Sequence, residues 1–179
     1  MPLNKAVACL LGPEFEDSEF ETPYRAFRDA GYRVDIVGRN VGEKIKGHKG
    51  RVTATVDKSI DDVSPQDYDL LFIPGGHSPD HLRADPRFVT FTKNFDDAGK
   101  PIAAVCHGPQ LLASAHLVRG RTLTAWHTIQ DDLAQMGANV KDQAVVQDKN
   151  WITSRKPDDL RDFSNAAIDA LDNASAPEA

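Results

Sequence analysis

Cys106 is the side chain in this sequence best placed to act as a nucleophile. It follows the apolar run Ile102-Ala103-Ala104-Val105 and precedes His107-Gly108-Pro109-Gln110. The run has the composition of a short strand covered on both faces. Gly108 permits a sharp turn, and Pro109 suits the first turn of a helix. The thiol is therefore expected where a strand ends and a helix begins. Helix N-termini carry partial positive charge and unpaired N–H groups, which favour a thiolate. The same donors can stabilise the oxyanion formed when sulfur attacks a carbonyl. Two roles are open to His107: general base, or supplier of a backbone N–H to that oxyanion. Cys9 lies inside the apolar run 6–11 and reads as core packing.

Three further groups carry potential chemistry. Gly75-Gly76 directly follows the apolar run 69–73 and Pro74, so its backbone N–H groups are a second source of oxyanion donors. Glu14, Glu16, Asp17 and Glu19 place four carboxylates within six residues. Asp17 or Ser18 reads as a helix cap. Glu16 and Glu19 are three apart and share one face of a helix start. A carboxyl buried beside the thiol would have a raised pKa and serve as proton donor or shuttle. His77, Asp80 and His81 form the third group. His77 and His81 are four apart, but no further ligand set joins them, so no metal is expected. Asp80 is the candidate for orienting an imidazole.

The elements that must hold these groups follow from periodicity. Strands are predicted at 5–11, 32–37, 69–73 and 102–105, with later ones at 122–126, 139–146 and 151–154. Helices are predicted at 18–30, 85–98, 128–136 and 157–171. Phe20, Tyr24 and Phe27 give the first helix one apolar stripe. Alternating strands and helices imply a mostly parallel sheet, with loaded turns gathered at the carboxyl ends of its strands. The segment 44–56 is β-prone. Its basic residues Lys44, Lys46, His48, Lys49 and Arg51, spaced by glycines, read as a solvated hairpin with no binding role.

With 179 residues and a net charge of −6, the chain is expected to form one domain, residues 1–179, with a frayed tail over about 173–179. Scattered charge argues against nucleic acid as a general partner. Two cysteines are too few for a disulfide framework and fit a reducing, cytoplasmic setting. The opening residues 1–5 do not read as a signal peptide, and no apolar run is long enough to span a membrane.

Four segments together resemble the ThiJ/PfpI superfamily, specifically its PfpI-like branch. They are Glu14-Phe15-Glu16-Asp17-Ser18-Glu19-Phe20, Ile73-Pro74-Gly75-Gly76-His77-Ser78-Pro79-Asp80, Val105-Cys106-His107-Gly108-Pro109-Gln110, and Thr153-Ser154-Arg155-Lys156-Pro157-Asp158-Asp159-Leu160. The resemblance implies a flavodoxin-like three-layer α/β sandwich, similar to class I glutamine amidotransferases. It implies Cys106 as nucleophile with His107 as partner, Glu19 as the helix-start glutamate, and Glu16 as another acidic position of the pocket. It maps the oxyanion donors onto Gly76 and His107. It assigns Asp80 to an acid that reaches the Cys-His pair from a neighbouring subunit, which implies a homodimer or hexamer. Trp126, followed by His127, stands where some relatives carry a pocket tyrosine.

The implied activity is a cofactor-independent thiol enzyme acting on small reactive carbonyls or glycated proteins, as a glyoxalase III or a deglycase. A cysteine peptidase or amidase, and a non-enzymatic redox sensor or holdase, remain alternatives at the level of sequence.

Overall fold

The first strand, β1 (Ala6–Leu10), is buried at every residue, as expected of a strand with helices on both faces. The computed structural model describes residues 5–174. The chain leaves β1 into α1 (Asp17–Asp29), whose Phe20 and Phe27 are buried. It returns through β2 (Arg33–Gly38), parallel to β1. A hairpin of β3 (Lys44–Lys46) and β4 (Thr53–Thr55) follows, then β5 (Lys58–Ser59) at one edge of the main sheet. The chain then crosses to the other side of β1 and enters β6 (Leu70–Ile73).

After β6 come α2 (Ser78–Arg83), α3 (Pro86–Asp97), β7 (Ile102–Val105) and α4 (Pro109–Ser114). The remainder is β8 (Thr122–Leu123), α5 (His127–Gln135), β9 (Asn139–Val140), β10 (Val146–Asp148), β11 (Trp151–Ser154) and α6 (Leu160–Asn173).

The main sheet has seven strands in the order β10-β11-β7-β6-β1-β2-β5. Every neighbouring pair is parallel except β10 with β11. One apolar cluster gathers Leu82, Phe88, Phe95, Leu111 and Leu133 from α2 to α5 on one face. A second gathers Phe20, Phe27, Phe163 and Leu171 from α1 and α6 on the other. The predicted mostly parallel α/β sandwich is thus the observed architecture. The chain reverses its direction of travel across the sheet between β1 and β6, and open α/β sheets place their sites at such a switch point.

Four expectations need correction. The segment 78–83, for which no helix is predicted, is the short helix α2, with Pro79 in its first turn. The strand expected over 122–126 is only two residues long and pairs with β9 outside the main sheet. The strand expected over 139–146 is divided between β9 and β10, because the polar run Lys141-Asp142-Gln143 offers no buried face. The final helix begins with a 3-10 turn at Pro157–Asp159 and runs to Asn173, so the tail expected from 173 starts inside it. Residues 175–179 of that tail, and residues 1–4 of the opening segment, lie outside the described residues.

Candidate active site

Cys106 sits immediately after β7 with φ +62°. A non-glycine residue held there costs about 1–3 kcal/mol and persists only when its surroundings fix it. Three hydrogen bonds do so. Cys106 N–H donates to Ser154 O at 2.9 Å, Trp126 N–H donates to Cys106 O at 2.9 Å, and Gly108 N–H donates to Val105 O at 2.8 Å. The sharp bend therefore falls on the cysteine itself. Gly108, predicted to supply it, is helical at φ −49° and ψ −42°. A side chain at Gly108 is excluded for a different reason, since a Cβ there would lie 2.6 Å from Ile73 O.

Two loops close on this elbow. Phe15 and Gly76 form an antiparallel bridge. Glu16 N–H donates to Gly75 O at 3.2 Å, and His77 N–H donates to Glu14 O at 2.8 Å. The loop after β1 is thereby locked to the loop after β6. Gly76 has φ +73°. Gly75 lies between acid and thiol: a Cβ on it would fall 2.4 Å from Glu19 Oε1 and 2.9 Å from Cys106 Cβ.

Glu19 is fully buried, and neither of its carboxyl oxygens has a hydrogen-bond partner by geometry among the described residues. Burial pushes its pKa from 4.5 up to about 8, against the partial pull of the neighbouring Cys106 thiol and Gly75 N–H. At neutral pH this carboxyl is protonated. Burial also pushes the Cys106 thiol well up, and a charged Glu19 would push it further, whereas the N–H groups of His107 and Gly76 pull it down. Against the thiolate favoured by the helix start alone, burial of the sulfur pulls toward the neutral thiol, while the two N–H donors pull toward the thiolate.

His107 Nδ1 lies 3.4 Å from Cys106 Sγ. Burial, helped by the charge of His77, holds the His107 pKa below 6.5. A neutral imidazole beside the thiol can accept its proton. The sulfur would then face the O–H of Glu19 and the N–H groups of His107 and Gly76.

A pocket of about 600 Å³ opens above the sulfur. Its walls bring together Glu16, Glu19, Gly76, His77, Asp80, Cys106, His107 and Trp126, all predicted from sequence. Gly75 supports it from behind, and His127 lies outside it, exposed, with its ring 4.4 Å from that of Trp126. Glu16 points to Lys49, with 3.1 Å between Oε1 and Nζ, so Glu19 rather than Glu16 attends the thiol. Asp80 is exposed at the pocket edge, and no hydrogen bond within the chain joins it to His107 among the described residues. His77 Nδ1 and His81 Nε2 lie 3.6 and 3.5 Å from the two carboxylate oxygens of Glu14.

Sequence reasoning missed three lining residues: His48, Gln110 and Pro157. Gln110 and Pro157 belong to motifs already singled out, and position after strand ends was the available signal. His48 lay in the basic segment read as a solvated hairpin; that hairpin is observed, with Lys44, Lys46, His48, Lys49 and Arg51 exposed, and its turn is in addition tied to the start of α1 through Asp17. Asp17 does not cap α1; Glu16 occupies the cap position, and its side chain accepts no N–H of the helix start. The Asp17 carboxylate turns to the β3–β4 turn and accepts the N–H groups of Lys49, Arg51 and Val52.

Residues 5–170 match the model of the DJ-1/PfpI family. The protein/nucleic acid deglycase 2 of Escherichia coli strain K12 is 51% identical over 170 residues, covering 94% of this chain and 99% of that protein. General stress protein 18 of Bacillus subtilis strain 168 is 45% identical over 172 residues, covering 95% and 99%. A crystal structure from Anabaena variabilis, a two-domain protein with DJ-1/ThiJ/PfpI-like and ferritin-like domains, superposes with a TM-score of 0.93 at 38% identity. That match covers 98% of this chain and 50% of the Anabaena chain.

Proposed function

This chain belongs to the DJ-1/PfpI family, and we propose that it is a cysteine-dependent enzyme of reactive-carbonyl chemistry, with glyoxalase III-type or deglycase activity. The observation that carries this reading is the buried, unpartnered carboxyl of Glu19 beside Cys106. The name of the Escherichia coli relative, a protein/nucleic acid deglycase, supports the same reading.

In the proposed reaction with methylglyoxal, His107 takes the thiol proton and the sulfur adds to the aldehyde carbon. The N–H groups of Gly76 and His107 hold the developing oxyanion. Glu19 donates its proton to that oxygen, giving a hemithioacetal, and is left as a carboxylate. The carboxylate then removes the proton from the former aldehyde carbon. Re-protonation of the adjacent carbon yields a thioester of lactate, which water hydrolyses to lactate and free thiol. Methylglyoxal and one water become lactate, with no change of overall oxidation state. With an adduct as substrate, the amine or thiol that carried the carbonyl is the leaving group. Side chains supply every step, so the proposed chemistry calls for no metal or organic cofactor.

The proposed setting is cytoplasmic, and the proposed assembly is a homo-oligomer in which Asp80 of one chain serves the Cys-His pair of another. Among the described residues no helix is long and apolar enough to cross a membrane.

The test is methylglyoxal consumption and lactate formation by the purified protein, with Cys106→Ala in parallel. Lactate formation that disappears in the variant is the expected result. Equal turnover by both proteins, or acyl-enzyme formation on a peptide with no action on carbonyls or their adducts, would overturn the reading.

A further inference from the structure

Two carboxyls three residues apart, Glu16 and Glu19, both line the pocket over Cys106. Their partners differ. Glu16 Oε1 lies 3.1 Å from Lys49 Nζ, and Ser18 Oγ donates to the same oxygen at 3.3 Å. Glu16 also stands at the N-terminal end of α1, where the helix dipole favours negative charge. Neither carboxyl oxygen of Glu19 has a hydrogen-bond partner by geometry among the described residues. Like charges facing one pocket repel, so the acid beside the cation keeps the charge and the buried acid keeps the proton.

Lys49 is delivered to Glu16 by its backbone. Buried Asp17 accepts the N–H groups of Lys49, Arg51 and Val52 at 2.8, 2.9 and 2.8 Å. Gly47 packs so closely on that carboxylate that a Cβ there would fall 2.5 Å from Asp17 Cγ. Glu14 N–H donates to Lys46 O at 3.0 Å, and His48 N–H donates to Phe15 O at 2.8 Å. These ties seat the turn between β3 and β4 on the start of α1. The Lys49 side chain, half exposed, then needs only its own stem to reach the carboxylate.

We infer that Lys49 assigns the proton between the two carboxyls of the pocket: it holds Glu16 as the charged member and thereby sets the pH at which Glu19 gives up its proton. Lys49 is then a positioning residue, acting on Cys106 only through the two acids. The inference rests on the role proposed for Glu19 above and names what regulates it. Burial is the largest influence on Glu19 and raises its pKa to about 8; the Cys106 thiol and Gly75 N–H pull it down, the charge of Glu16 pushes it up, and the charge of Lys49 pulls it down. His48, His77, Asp80 and His107 face the same pocket. Asp17 is turned to the hairpin, and β1 and α6 bury no charged side chain in this layer.

The test is a pH titration of the Glu19 carboxyl by carbon-13 NMR on protein labelled at glutamate, its signal assigned by loss in Glu19→Gln. Wild type is compared with Lys49→Met, Lys49→Arg and Glu16→Gln, and the pH profile of kcat/KM for methylglyoxal is recorded in parallel. Lys49→Met should raise the Glu19 midpoint by about half a pH unit at low salt, and added salt should shrink that shift because the lysine is half exposed. Glu16→Gln should lower the midpoint, and Lys49→Arg should keep it near the wild-type value. The falling limb of the rate profile should move with the midpoint in each case. Midpoints unmoved in both Lys49→Met and Glu16→Gln, shifts of the same sign in the two, or Lys49→Arg behaving like Lys49→Met would overturn the inference. If wild type does not turn over methylglyoxal, it is the carbonyl reading that fails, and the NMR titration alone decides the role of Lys49.

Discussion

Asp17 and Glu19 stand two residues apart at the start of α1, both buried, and their carboxyl groups are shifted in opposite directions. For Asp17, burial works against the charge but three backbone N–H donors outweigh it, so its pKa falls below 3.8. For Glu19, burial dominates and its pKa rises to about 8. The helix turns one side chain toward a loop full of donors and the other into a pocket beside a thiol. One carboxylate becomes a structural anchor and the other a stored proton.

Glu19→Gln should be more stable than wild type at neutral pH. A carboxyl whose folded pKa is raised contributes stability that is fully present below 4.5 and is lost as pH rises to about 8, because the unfolded chain ionises first. At pH 7 the loss amounts to about 3 kcal/mol, since each pKa unit is worth about 1.4 kcal/mol. The amide escapes that loss, although its own N–H groups need partners in the pocket. Urea unfolding should give the variant a lead of about 1–3 kcal/mol at pH 7 that disappears below pH 4.5. Equal stabilities at both pH values would contradict a neutral, buried Glu19.

The pH profile of kcat/KM should be bell-shaped. The rising limb belongs to His107 and should lie below pH 6.5, because burial and His77 hold its pKa down. The falling limb belongs to Glu19 and should lie near pH 8, where the proton it must donate is lost. Glu19→Gln should remove the falling limb along with most of the activity. A wild-type rate that keeps climbing beyond pH 9 would mean that thiol ionisation, not the acid, limits the reaction.

Much of this site was legible from sequence because it follows strand ends. The strand at 102–105, Cys106 after it and Gly75-Gly76 after β6 follow from local pattern and parallel topology, whereas the choice of Glu19 over Glu16 came from the family resemblance. What stayed hidden depends on contacts between distant segments. Asp17 looked like a cap because a helix start is the nearest set of free N–H groups; the donors it binds are 32 to 35 residues away. That the exposed His48 also lines the site stayed hidden because a basic, glycine-rich hairpin gives no local sign that its Lys46 and His48 will bond to Glu14 and Phe15. Gly108 looked like the bend because glycine is the usual solution, whereas the fold places the strain on Cys106. The burial acting on Cys106 was hidden for a related reason. The N–H donors are local and visible, but the desolvation that opposes them comes from the assembled core.

Asp80 offers a test of the shared site. Asp80→Ala should lower kcat/KM by about tenfold to a hundredfold if the acid orients His107 of a neighbouring chain. Mixing inactive Cys106→Ala with Asp80→Ala, then allowing subunits to exchange, should restore activity. In a mixed oligomer one site combines the intact cysteine of one chain with the intact aspartate of the other. No recovery after demonstrated exchange would place the acid within one chain or remove it from the mechanism.

Asp17→Ala should damage substrate recognition more than chemistry. The change leaves three N–H groups of the β3–β4 turn without their acceptor, at a cost of about 2–4 kcal/mol in urea unfolding. The turn carries His48, while Cys106, His107 and Glu19 are held by other bonds. KM for the carbonyl substrate should therefore rise about tenfold, while kcat falls by less than about threefold, as expected when binding rather than the transition state loses a contact. Asp17→Asn keeps one carbonyl acceptor and should recover part of the KM. The pH dependence provides a second check. A depressed carboxyl pKa contributes stability present above 3.8 and lost as pH falls through the still lower folded value. The stability difference between wild type and Asp17→Ala should accordingly shrink only in strong acid. A fall in kcat with KM unchanged would show instead that the turn supports the nucleophile directly.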